Sequence, residues 1–357
     1  MRFHYQSLPM RVTFGAGLLS TLAEELGQLG LSRVLVLSTP EQQELAERVS
    51  AELGELSVGV HAGARMHVPI ESARRARDAA LASHADGCVA IGGGSTTGLG
   101  KAIALESDLR IVSVPTTYAG SEMTSVWGLT VDGEKKTGRD PRVLPVSVLY
   151  DPELTTGLPV GLSVTSGFNA IAHAVEALYA PDRSPIISLV AEDGIRALVH
   201  ALPGIVADGH DIAARTGALY GAWLCGAALG ATTMSLHHKL CHVLGGSFNL
   251  AHADTHTIVL PYVLAYNSEC APQMLAALRR ATGSDEPAAF LWSLSRTLGA
   301  PTSLRDIGLA QADIARAADL ATTSAYANPR DVTPAAVREI ITAAWLGEPL
   351  QPDGLLV

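Results

Sequence analysis

Apolar positions along the first 150 residues follow two rhythms. Short runs rich in β-branched residues, Arg11–Phe14, Arg33–Ser38, Leu56–His61, Cys88–Gly92, Arg110–Pro115, Trp127–Val131 and Ser147–Tyr150, predict strands. Between several of them Leu18–Leu29, Gln42–Leu53 and Ile70–Ser83 carry apolar residues at helical spacing. Strand and helix in alternation imply a mostly parallel, doubly wound sheet, whose ligands sit at the carboxyl ends of its strands. After Asp151-Pro152 the strand signals stop and an Ala/Leu-rich helical pattern takes over, punctuated by Pro159, Pro185, Pro203, Pro261, Pro301 and Pro334. The expectation is an α/β N-terminal domain with a Rossmann-like parallel sheet over 1–155, a dinucleotide-binding half, and an all-α C-terminal domain over 156–357. An active site is expected in the cleft between the halves.

Composition narrows the class. A chain of 357 residues exceeds the usual single core, and 48% apolar against 17% charged residues excludes a disordered chain. A net charge of −10 argues against nucleic acid or an anionic membrane as partner, since both require a basic surface. Cys88, Cys225, Cys241 and Cys270 form no CxxC pair, which indicates neither a disulfide framework nor a cysteine zinc site and fits a reducing cytoplasm. Met1–Met10 has no apolar stretch, so no secretory leader is expected. Thr216–His238 is uncharged, with Gly217/Gly221 and Gly226/Gly230 at small-xxx-small spacing, and reads as a buried central helix rather than a membrane span.

The run Cys88-Val-Ala-Ile-Gly92-Gly93-Gly94-Ser95-Thr96-Thr97-Gly98-Leu99-Gly100-Lys101 reads as strand, glycine turn and helix. Glycines let the backbone approach a phosphate, and the amides and dipole of the next helix favour its charge. It is neither GxGxxG after the first strand nor a P-loop. The next strand ends in Val114-Pro115-Thr116-Thr117-Tyr118-Ala119-Gly120-Ser121, hydroxyls at the carboxyl end of a strand, suited to phosphate or ribose. Gly93, Gly94, Ser95, Thr96, Thr116, Thr117 and Ser121 are the candidate cofactor residues; Lys101 suits either phosphate or solvent.

Ser166–Ala177 reads as a helix with Ser166 as a possible cap, placing Asn169, His173 and Glu176 on one face. A second helix carries His238 and His242 at i, i+4, followed by Gly245-Gly246 and then His252 and His256. Histidines converging from two helices bind a metal, orient an anion or move protons; singly, each is more often a core histidine. The only dense basic cluster, Lys135-Lys136-Thr137-Gly138-Arg139-Asp140-Pro141-Arg142, is either a solvated loop or a carboxylate or phosphate site.

These motifs in this order resemble the iron-containing alcohol dehydrogenase superfamily: Gly92–Ser95, Pro115–Thr117, Gly167–Glu176, His238/His242 and His252 match its GGGS turn, PTT strand end, GxDAxxHAxE helix and histidine segment. The resemblance implies the two-part architecture shared with dehydroquinate synthase, and a homodimer. Two positions depart from it, Asn169 for the metal-ligand aspartate and Gly98 for the aspartate after the turn. Within the superfamily the same segments resemble the maleylacetate reductases, which use NADH or NADPH to reduce maleylacetate to 3-oxoadipate in aromatic-ring degradation. Asn169 removes the one anionic ligand, so a divalent metal is not expected to be required; if one binds, His173, His238 and His252 are its ligands.

That resemblance gives the residues roles. His242 and His252 are expected to stabilise the enolate and supply a proton; Asn169, His173, His238, Tyr118 and Arg139 are expected to hold the substrate, and Lys136 joins the cofactor residues. Strand Arg33–Ser38 is followed by Thr39-Pro40-Glu41, with no acid immediately after it, and tolerance of both nicotinamide cofactors is the expectation. Three rivals stand beside this reading: a metal-dependent alcohol or polyol dehydrogenase of the same superfamily, a lyase resembling dehydroquinate synthase, and a catalytically silent NADH-binding sensor.

Overall fold

The computed structural model describes residues 3–132 and 134–350. Its contacts divide into two compact units, Ser7–Leu158 and the chain from Pro159 onward with the residues before Ser7.

The first unit is built on β1 (Arg11–Phe14), β2 (Val34–Leu37), β3 (Ser57–His61), β4 (Gly87–Gly92), β5 (Arg110–Pro115), β6 (Val126–Val131), β7 (Glu134–Arg139) and β8 (Ser147–Tyr150), with helices α1 (Leu22–Gln28), α2 (Gln43–Leu53), α3 (Ile70–Ala82) and α4 (Gly94–Leu105). Six strands form one parallel sheet in the order β1-β8-β5-β4-β2-β3. Period-two alternation divides their side chains between two cores. Val34, Val36, Val89, Ile91, Val112 and Val114 pack with Leu22 and Leu26 of α1 and Val49 of α2. Leu35, Leu37, Cys88, Ala90 and Ile111 pack with Ala73 and Ala76 of α3 and Leu99 and Ile103 of α4. Every expected strand forms, but the β6 strand leaves the parallel sheet and pairs antiparallel with β7. β7 is the basic run, an exposed strand and not a loop. It is a strand because β6 supplies its backbone partners: the Trp127 indole lies across Gly138, where a Cβ would fall 2.6 Å from its ring.

The second unit is helical: α5 (Val160–Ala177), α6 (Pro185–Ala207), α7 (Ile212–Ala231), α8 (Leu236–Phe248), α9 (His252–Ser268), α10 (Pro272–Thr282), α11 (Pro287–Thr297), α12 (Ile314–Thr322) and α13 (Pro334–Leu346). α5 begins at Val160 behind Pro159, so Ser166 lies inside it and is not its N-cap. Burial of Val164, Phe168 and Ile171 carries the helix through the expected cap, and Gly167 admits Leu202 of α6, whose Cδ2 would lie 2.8 Å from a Cβ there. Gly245 and Gly246 likewise continue α8, which ends at Asn249 in the left-handed conformation. Pro203 and Pro261 sit inside α6 and α9. The uncharged segment forms α7, and its small residues serve a close crossing with α6: a Cβ on Gly221 would lie 2.9 Å from the Gly194 carbonyl. Among the described residues no helix is long and apolar enough to cross a membrane.

Candidate active site

In the first unit the glycine turn joins β4 to α4. Gly92 has φ +150°, and a Cβ there would run into the Thr96 hydroxyl and lie 2.8 Å from Gln42 Oε1. A Cβ on Gly93 would lie 2.9 Å from Thr117 Cγ2, so the turn and the end of β5 are pressed together at glycines alone. Thr116 N–H donates to the Gly92 carbonyl at 3.1 Å, and its hydroxyl accepts from Gln42 Nε2 at 2.8 Å. Gly93, Gly94, Ser95, Thr117 and Ser121 keep exposed surface, whereas Thr96, Thr116 and Tyr118 are buried. Thr96 and Thr116 therefore shape the turn from beneath, and Tyr118, at 0% exposure, has no surface to offer a substrate. The buried Thr96 hydroxyl makes no hydrogen bond among the described residues, and with the close-packed glycines and the start of α4 this cradle suits a phosphate-bearing cofactor.

Lys101 faces neither phosphate nor solvent. It is buried in α4, and its Nζ donates to the Ser121 carbonyl at 2.7 Å, Thr124 Oγ1 at 2.8 Å and the Val126 carbonyl at 2.7 Å, which fixes the loop after β5. Burial lowers its pKa to about 7, against the pull of Glu122. Lys136 and Arg139 stand exposed on β7.

In the second unit the histidines come from three helices, not two: His173 from α5, His237, His238 and His242 from α8, His252 and His256 from α9. α8 ends at Phe248 before His252 opens a helix of its own. Glu176, one turn after His173, organises them. Its buried carboxylate accepts from His238 Nδ1 at 2.7 Å, Ser235 N–H at 2.8 Å, His237 N–H at 2.7 Å and Tyr179 Oη at 2.9 Å. Burial alone would raise its pKa, but His238, then His237 and the Ser235 amide, hold it at about 2. Glu176 thus fixes both the His238 ring and the start of α8. Behind it His237 Nε2 and His256 Nδ1 lie 2.9 Å apart, with Cys241 Sγ 3.6 Å from His237 Nε2. Burial, then the charge of His238, brings His237 down to about 3; burial likewise keeps His173 and His256 well below the usual histidine range.

His242 is exposed and His252 half-buried, their rings stacked with centroids 6.4 Å apart. Asn169, His173 and His238 are nearly buried, and Asn169 Oδ1, His173 Nδ1 and His238 Nε2 have no hydrogen-bond partner among the described residues. Unsatisfied polar atoms beside two accessible imidazoles mark a place where a polar ligand replaces what the chain does not supply. Asn169 is neutral, and among the described residues the only three His, Cys, Asp or Glu ligand atoms within 4.8 Å of one another belong to His237, Cys241 and His256. Sequence reasoning passed over His237 and gave Glu176 only a place on the face of α5; the bonds it makes reach residues too distant in sequence for spacing to reveal.

Two family models cover most of the chain: Iron-containing alcohol dehydrogenase over residues 9–152, and the C-terminal domain of the Fe-containing alcohol dehydrogenase family over 163–345. Maleylacetate reductase of Burkholderia cepacia is 55% identical over 97% of this chain and 98% of its own length; that of Delftia acidovorans is 53% identical over 99% and 100%. The crystal structure of maleylacetate reductase from Agrobacterium tumefaciens superposes with a TM-score of 0.95 at 50% identity, covering 98% of this chain and 99% of that one. From its glycine turn to its histidine helices, the chain belongs to the iron-containing alcohol dehydrogenase family.

Proposed function

We propose that this chain is an NADH- or NADPH-dependent oxidoreductase that reduces the carbon–carbon double bond of maleylacetate to 3-oxoadipate in aromatic-compound degradation. The observation that carries the reading is identity of 53–55% to maleylacetate reductases over essentially the whole chain. When bound, the reduced nicotinamide supplies a hydride to the alkene carbon β to the ketone. Gly93, Gly94, Ser95, Thr117 and Ser121 hold the cofactor phosphates and ribose at the cradle, with Thr96 and Thr116 setting its shape.

Negative charge then gathers on the ketone oxygen. His242 and His252 donate hydrogen bonds to it, and one of them passes a proton to the α carbon, which closes the balance of one hydride and one proton. Donors of this kind contribute roughly 3 kcal/mol each to lowering a barrier. His238, oriented by Glu176, offers Nε2 to the substrate, with Asn169 and His173 beside it. Arg139 and Lys136 are reserved as cationic partners of carboxylate and phosphate.

No divalent metal is required in this reading; the neutral Asn169 and the spread of the histidine donor atoms support it. NADH oxidation by chelator-dialysed protein with maleylacetate tests it. Full turnover without metal is the expected result. Activity recovered only with an added divalent ion overturns it in favour of a metal-dependent alcohol or polyol dehydrogenase, and NADH binding without turnover of any substrate would leave a sensor. A cytoplasmic homodimer belongs to the same proposal, and a monomeric mass in solution removes that part.

A further inference from the structure

Between β3 and α3 the backbone does something costly. His67 has φ +63° and Val68 φ +47°, two successive non-glycine residues in the left-handed region, the second of them β-branched. Such a conformation persists only when its surroundings over-determine it. Here Val68 N–H closes a turn on the Arg65 carbonyl at 3.1 Å, while Thr130 of β6 holds the carbonyls of both left-handed residues, its hydroxyl on His67 at 2.8 Å and its N–H on Val68 at 3.1 Å. The Ser72 hydroxyl ties down the Gly63 carbonyl.

Val68 is buried, and its Cγ2 would lie 2.8 Å from a Cβ at position 98. The glycine at 98, where the family resemblance leads one to expect aspartate, is therefore what lets Val68 seat against α4. Seating Val68 turns Arg65 and Met66 outward. They line a pocket of about 480 Å³ together with Thr39, Pro40 and Glu41, which follow β2, and Ser95 of the glycine turn. Glu41 is fully exposed, its carboxylate accepting from its own backbone N–H and from Thr39, which holds its pKa below the usual range. The exposed Arg65 guanidinium has no hydrogen-bond or ion-pair partner among the described residues.

We propose that Arg65, placed by the Val68–Gly98 contact, receives the 2′-phosphate of NADPH, while Glu41 in the same pocket receives the 2′-hydroxyl of NADH. The inference rests on the cofactor reading above. An acid suits a ribose diol and an arginine suits a phosphate monoester; a pocket with both walls takes either cofactor. The selector thus lies on the turn after β3 as well as on the residues after β2, which is why inspection beyond β2 alone reveals only half of it.

The test is the ratio of kcat/KM for NADPH to that for NADH in maleylacetate reduction. Losing a charge-assisted hydrogen bond to phosphate should lower this ratio at least about tenfold in Arg65→Ala, and Glu41→Gln should raise it. Gly98→Ala, by displacing Val68, should lower it in the same direction as Arg65→Ala. A ratio unchanged within about twofold in Arg65→Ala, or a parallel fall with both cofactors, overturns the proposal. Calorimetric binding of 2′-phospho-ADP-ribose and ADP-ribose to wild type and Arg65→Ala separates this failure from that of the reaction assignment. Arg65-dependent discrimination between these two ligands without maleylacetate turnover would keep the selector and discard the substrate.

Discussion

The Glu176 carboxylate receives the Nδ1 proton of His238 at 2.7 Å, and the same group receives the amides of Ser235 and His237 at the start of α8. One acid therefore sets both the tautomer of a site histidine and the position of the helix that carries three of them. Glu176→Gln should cost about 1–3 kcal/mol of unfolding free energy and lower kcat more than it raises KM. Denaturant unfolding and steady-state kinetics on one preparation read both; a stable variant with wild-type kcat would show that the carboxylate orients nothing the reaction uses.

Acid should unfold the second unit by two routes that add. Glu176 stays ionised in the folded chain down to about 2 against 4.5 ordinarily, so its stabilisation is complete above pH 4.5 and is lost as the pH falls toward 2. His237 resists protonation down to about 3 against 6.5 ordinarily, so below pH 6.5 the unfolded chain takes up the proton that the folded chain refuses. The thermal midpoint should hold above pH 6.5, decline below it and fall more steeply below 4.5, with the lower limb shallower in Glu176→Gln. A midpoint flat from pH 7 to 4.5 would contradict the His237 shift, and one with no steeper fall between 4.5 and 2 the Glu176 shift.

Exposure separates the chemistry of the histidines from their structural work. His242 is exposed, so His242→Ala should leave the thermal midpoint nearly unchanged while kcat falls by about 10²–10³. Turnover near wild type would remove His242 from the reaction. His256→Ala, which opens the buried pair with His237, should destabilise the fold instead.

Asn169→Asp places an anionic donor where the chain carries a neutral amide. Zinc affinity, measured by competition with a chromophoric chelator, should rise at least about tenfold. Equal affinities in the two proteins would mean that the spread of the histidine donors, and not the amide at 169, discourages an ion.

Much of this was legible in the chain, and what was not has definite causes. The inner strands of the parallel sheet announce themselves because both faces are covered, which demands near-continuous apolar runs such as Val34–Leu37. β7 carries Lys135, Lys136 and Arg139 in a largely exposed run, and its strand character resides in pairing with β6. The helix signal at Gly167–Glu176 was plain, yet its start was misplaced, because Ser166 resembles a cap and the helix in fact starts behind Pro159, with Gly167 packed against Leu202. The site histidines could be picked out by their number and spacing. The partners of Glu176 and Lys101 could not, since a hydrogen bond from a helix to the start of another, or to a loop, leaves no periodicity behind.

The sheet has an edge whose partner arrives late. Phe14 of β1 pairs with Tyr150 of β8, and Asp151 just beyond accepts the amides of Gly17 and Leu19 at 3.1 and 3.0 Å. A nascent chain emitted from its N-terminus therefore carries its first strand without a neighbour until nearly the whole unit has been synthesised. Closure of so long a loop is entropically slow. The α/β unit completes itself only at its final strand, so a truncation anywhere before Ser147 leaves β1 with nothing to join.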